Sequence, residues 1–177
     1  MSNAAQVLDQ IAAALENGPF TVSRNVTLSD GTLAAVAASR TYFSWKGLVI
    51  CSQHIVIRHV DHATQVDAKA LFDAGFRFGK RANRVPLLRG LQFGYMIIPV
   101  LVGELPESAL VKTVGACPPK RWGLFECPVV VNLTSNEMIY FNGTPFWGAL
   151  FFADLRNIVK NYMAGSLLNS SYGGDGR

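Results

Sequence analysis

Apolar and polar residues change period several times along the chain, and each change marks an element. Val7, Leu8, Ile11, Ala12 and Leu15 recur at three-and-four spacing, which puts them on one face of a helix that Ser2 or Asn3 can cap. Asn17-Gly18-Pro19 ends that helix. Phe20, Val22, Val26 and Leu28 then fall on one side of an extended chain, with Thr21, Ser23, Asn25 and Thr27 on the other, as in a half-buried strand. Asp30-Gly31 supplies a hairpin turn, because positive φ values match the twist of the flanking strands. The return strand, residues 33 to 39, is almost all alanine, so something larger is expected to pack close above it. Tyr42, Phe43 and Trp45 lead into Gly47, and residues 48 to 60 form a β-branched stretch that is one long strand or two short ones.

From residue 64 to about 84 the period is helical. Ala68, Leu71, Phe72, Gly75, Phe76, Phe78, Gly79 and Ala82 share one arc and face the core, while Lys69, Asp73, Arg77, Lys80, Arg81 and Arg84 lie opposite. Residues 91 to 103 are the most apolar strand-length run, which suits a central strand covered on both faces. Pro99 argues against that place, since it cannot donate to a sheet ladder. A short helix over 106 to 113, strands over 128 to 133 and 138 to 141, and a last helix follow. Thr144 is placed to cap that helix and Pro145 to open it, and it runs to about residue 163. Gly165 can end it, and residues 166 to 177 read as a flexible Ser/Gly-rich tail.

The resulting order is α-β-β-β-α-β-α-β-β-α. It predicts an α/β protein with one mixed β-sheet and helices packed on both faces, an α+β arrangement being the alternative. Residues 1 to 165 make a single globular domain. The opening order over residues 4 to 103 resembles the core order of the restriction-endonuclease-like superfamily, the PD-(D/E)XK nucleases. That resemblance implies an acid by the second strand and Glu-x-Lys on the third. This chain has no Asp or Glu between Asp30 and Asp61, and Ser44 stands two residues before Lys46, so the implied site is degenerate.

Composition narrows the function. Only 16% of residues are charged, against roughly 25% in an average domain, so much of the surface is apolar or uncharged, which points towards a homo-oligomer. Three cysteines do not make a secreted disulfide framework, and the start of the chain has no basic-then-apolar signal region. No apolar run reaches the roughly 20 residues of a membrane span. A cytoplasmic protein without a membrane partner is therefore expected. No glycine-rich phosphate loop and no Gly-x-Ser-x-Gly occurs, so neither a nucleotide cofactor nor a serine nucleophile of the common kinds is expected.

The net charge of +4 matters only where it clusters, and Arg77, Lys80, Arg81 and Arg84, extended by Arg89, form the one cluster. Such a row can hold an anion or follow a nucleic-acid backbone. It is also what a solvated helix shows, with cations near its C-terminus and Asp61 and Asp67 near its start. Cys51, His54, His59 and His62 are metal-ligand types, but their spacing fits poorly and no metal is assigned to them. His59, Asp61 and His62, with Glu104 just past the apolar run, are the candidates for a catalytic site of unrecognised type. In the last helix Trp147, Phe151 and Phe152 would anchor a homodimer. The expected function is a binding or interaction module for an anion or nucleic-acid backbone. An enzyme with a degenerate or unrecognised site and a self-assembling structural protein are the alternatives.

Overall fold

The computed structural model describes residues 3–28, 31–45, 47–82, 93–104 and 106–165. Asp30, Arg84, Arg89, the side chain of Trp147 and the tail lie outside the described residues. Helix α1 (Asn3–Glu16) buries Val7, Ile11, Ala12 and Leu15 on the face their spacing predicts. Strands β1 (Thr21–Thr27), β2 (Leu33–Ser44) and β3 (Val49–His59) form an antiparallel meander. Helix α2 (Gln65–Ala82) then crosses to β4 (Phe93–Gly103), which lies parallel to β3. Thr64 and Asp67 start α2 with reciprocal bonds: Thr64 Oγ1 donates to Asp67 Oδ2 at 2.6 Å, and the Asp67 amide donates to Thr64 Oγ1 at 3.2 Å.

Helix α3 (Ser108–Gly115) follows, then β5 (Leu124–Glu126) and β6 (Val129–Asn132), both parallel to β4, and β7 (Glu137–Tyr140), antiparallel to β6. A 3-10 turn (Phe146–Gly148) leads into α4 (Ala149–Val159) and a closing π-turn (Lys160–Ala164). Among the described residues the product is a mixed α/β fold whose seven-stranded sheet runs β1-β2-β3-β4-β6-β7, with β5 beside β4 upstream of β6. Strand alternation divides the core. Met96, Ile98, Val100 and Val102 pack with α1 and α4, whereas Phe93, Tyr95, Ile97 and Leu101 face the side of α2 and α3. No helix among the described residues is long and apolar enough to cross a membrane.

Every described residue of β4 is buried, so it is the central strand, and the register explains Pro99. Tyr95 donates to Gly123 O, while Ile97 O and Gly103 O accept from Cys127 and Leu133. Odd-numbered residues of β4 therefore address the β5/β6 side. Pro99 is one of them, and it falls opposite the step between β5 and β6, where the partner strand is interrupted at Cys127-Pro128. The missing amide costs no bond to β3.

Several local expectations are sharpened or change. Strand β2 continues through the aromatics to Ser44, which pairs with Val49, and β3 is one unbroken strand. The last helix starts later than Pro145: Phe146–Gly148 is a 3-10 turn, and Gly148 leaves helical angles at φ −132° and ψ 14° just before Ala149; a Cβ on Gly148 would sit 2.6 Å from Phe152 Cδ2. Thr144 is not its cap, since Thr144 Oγ1 instead accepts from Arg156 Nη2 at 2.9 Å. Gly165 keeps right-handed helical angles, so it is no left-handed cap.

Candidate functional site

The residues singled out from sequence separate into groups that do not converge. At the C-terminal ends of the parallel strands the Glu104 amide donates to Asp61 O at 3.3 Å, so Asp61, His62 and Glu104 are neighbours beside the half-buried His59. Backbone packing there is tight: a Cβ on Gly103 would lie 2.6 Å from Val60 O. Among the described residues no group of three or more His, Cys, Asp or Glu side chains is placed to hold a metal.

Cys51 and His54 point to opposite faces of β3, so the sheet separates them. Burial pushes the Cys51 thiol up to about 11 and the Cys127 thiol up to about 12, which keeps both protonated. His54 shares hydrogen bonds with Ser39 Oγ (3.1 Å) and Ser52 Oγ (2.9 Å), and burial lowers its pKa to about 4. It is a neutral core histidine. Hydroxyls and this imidazole occupy β2 and β3, where the nuclease resemblance implied carboxylates.

Arg77, Lys80 and Arg81 are exposed along one side of α2, with Lys69 and Asp73 also exposed. The helix runs antiparallel to β3, since Gly75 lies over Val56 and Gly79 lies over His54. Its last turn is therefore directed towards the end where the parallel strands begin.

At that end is an open cavity of about 460 Å³. Val49 and Phe93, the first residues of β3 and β4, form its floor with Phe125 and Phe151, and Gly47 closes one side where its backbone meets the Phe151 ring. Lys120, Arg121, Trp122 and Phe146 stand at the rim. Trp122 is 65% exposed and Phe146 fully exposed, and Trp45 on the adjoining turn is 80% exposed. Large aromatics held in water beside two cations are unusual enough to mark a surface for a ligand. Phe152, expected as an interface anchor, is wholly buried in its own core, and Phe151 is half-buried against Phe125 with ring centroids 4.4 Å apart. Among the described side chains of this segment, Phe146 and Leu150 face outward.

Arg121 also lines a second cavity, of about 440 Å³, between α2, α3 and β5. Its guanidinium lies over the Phe72 ring, 4.9 Å from the centroid, and Nη2 is 3.8 Å from Glu126 Oε2. That distance is an ion pair without a hydrogen bond. Glu126 Oε2 is buried and has no hydrogen-bond partner among the described residues. Burial raises the Glu126 carboxyl to about 7, with Asp73 adding to the rise and Arg121 opposing it. Glu126 escapes sequence reasoning because a lone acid in Leu-Phe-Glu-Cys-Pro has no partner at a telling spacing; its apolar setting is the only signal. Compared with models of protein families, with curated proteins and with solved structures, the chain has no match.

Proposed function

We propose that this protein is a binding module for single-stranded nucleic acid, held at the end of the sheet where β3 and β4 begin. The observation that carries this reading is the rim of the first cavity, where exposed Trp122 and Phe146 stand beside Lys120 and Arg121. Sequence-tolerant binding of single strands needs these two features together, flat rings on which bases stack and cations that follow the backbone. Arg77, Lys80 and Arg81 on α2 extend the positive surface towards the same end. A duplex keeps its bases stacked internally and offers no ring to Trp122, so single strands are preferred.

Titration of a labelled oligothymidylate tests the proposal. Affinity is expected to fall linearly with the logarithm of salt concentration. Trp122→Ala should weaken binding by about 1–3 kcal/mol, the usual worth of one stacked base. Lys120→Glu with Arg121→Glu should weaken it further and flatten the salt slope by about 1.4, roughly 0.7 for each lost phosphate contact. Binding that ignores salt, or survives both variants, overturns the reading.

A second copy of the chain is the competing occupant. Leu48 and Leu150 are exposed beside the same cavity, and aliphatic side chains cannot stack on bases. A dimer that Leu150→Glu dissociates, measured by light scattering without nucleic acid, would assign this end to self-association instead.

A further inference from the structure

The second cavity lies on the other side of Arg121, and its chemistry differs from that of the aromatic rim. Its walls are mostly apolar, with Phe72 on α2, Leu110 and Val114 on α3, and Pro128 before β6. Its volume of about 440 Å³ is within the range of small-molecule sites, roughly 300–1,000 Å³. Gln65 and Thr113 tie α2 to α3 by a side-chain hydrogen bond, so these two lining groups already satisfy each other. Glu126 does not have that satisfaction: its side chain is 14% exposed, and Oε2 accepts no hydrogen bond from the described residues. A buried oxygen without a donor is costly unless something supplies one.

Among the described residues the charged groups lining the cavity are Lys69 and Asp73 from α2, Arg121 from the loop and Glu126 from β5, two of each sign. A purely cationic ligand would meet Lys69 and Arg121, and a purely anionic one would meet Asp73 and Glu126. A neutral apolar ligand would leave Glu126 Oε2 desolvated and still unpaired. A zwitterion satisfies both signs. We infer that this cavity binds a small amino-carboxylate with an apolar side group, its ammonium directed to Glu126 and Asp73 and its carboxylate to Arg121 and Lys69. The raised carboxyl of Glu126 adds a requirement: the group must ionise to accept the ammonium, so affinity should increase from pH 6 to pH 8.

Calorimetric titration of the full chain with L-phenylalanine, 2-phenylethylamine and 3-phenylpropionate tests the inference. Phenylalanine should bind, and each analogue, lacking one charge, should bind about tenfold more weakly or worse, the usual consequence of losing a charged hydrogen bond. Glu126→Gln should reduce phenylalanine affinity by a similar factor and, by removing a like charge, should not weaken 3-phenylpropionate. Asp73→Asn, a change on the exposed side of α2, gives an independent reading if Glu126→Gln folds poorly. Trp122→Ala should leave phenylalanine binding intact, which separates this site from the nucleic-acid surface. The inference is overturned if phenylalanine gives no binding, if 3-phenylpropionate binds equally well, or if both carboxylate variants bind phenylalanine like the parent.

Discussion

Phe152→Ala is expected to lower the free energy of unfolding by about 3–5 kcal/mol, the range for deleting a buried phenyl ring. The ring has no exposed surface and sits between Phe125 and Phe141, with centroids 6.3 and 6.1 Å away and both pairs near perpendicular. Edge-to-face contacts of this kind add to the transfer term. Gly148 packs its backbone directly on the ring, so truncation also removes the support for the start of α4. Partial collapse cannot repair a cavity bounded by sheet on one side and backbone on the other. Phe146→Ala, at a fully exposed ring on the turn before α4, should by contrast change stability by no more than about 0.5 kcal/mol. Urea denaturation of the two variants, with the slope unchanged and only the midpoint moving, checks the pair. A loss below about 1 kcal/mol for Phe152→Ala would return that residue to the surface role its sequence position suggests.

The contrast between Phe152 and Phe146 shows where reading the sequence reaches its limit. Element order is legible because the period changes sharply, from helical spacing in Val7, Ile11 and Leu15 to the continuous apolar run that becomes β4. Strand β5 is not legible, because three residues show no alternation and owe their pairing to β4. In an apolar helix every side chain has the same local signature, so which ring is buried depends on what lies above it. The candidate sites are harder still. Gly47 comes from a turn, Trp122 from a loop and Phe146 from the turn before α4, and no spacing in the chain announces that they meet. The basic side of α2 is visible from its period, but its relation to Trp122 depends on the direction in which the helix crosses the sheet. The metal-ligand types around His54 are kept apart for a simpler reason: side chains on alternate residues of β3 face opposite layers, and among the described residues no three such groups are placed to hold a metal.

Stability should depend little on pH between about 4.5 and 6.5 in the parent protein, because two buried groups oppose each other there. His54 has a folded pKa near 4 against 6.5 for a free imidazole, so between these values the unfolded chain binds a proton that the native chain does not. Its contribution makes stability rise with pH by about 1.4 kcal/mol per unit. Glu126 has a folded pKa near 7 against 4.5, so through that window the native chain holds a proton that the unfolded chain has released. Its contribution makes stability fall with pH at the same rate. Removing either group should expose the other. Relative to the parent, Glu126→Gln should gain about 3 kcal/mol on going from pH 4 to pH 8, whatever its stability at either end. His54→Asn should show the reverse, gaining on the parent as pH falls from 6.5 to 4, although the lost bonds to Ser39 and Ser52 lower its stability throughout. Comparing each variant with the parent cancels the exposed pairs common to all three chains, such as Glu16 with Arg24. Denaturation midpoints at four or five pH values measure both slopes. A variant-minus-parent difference that stays flat for Glu126→Gln would mean that Glu126 titrates as a solvated acid, and the second cavity would then lose the desolvated carboxylate on which its ligand chemistry depends.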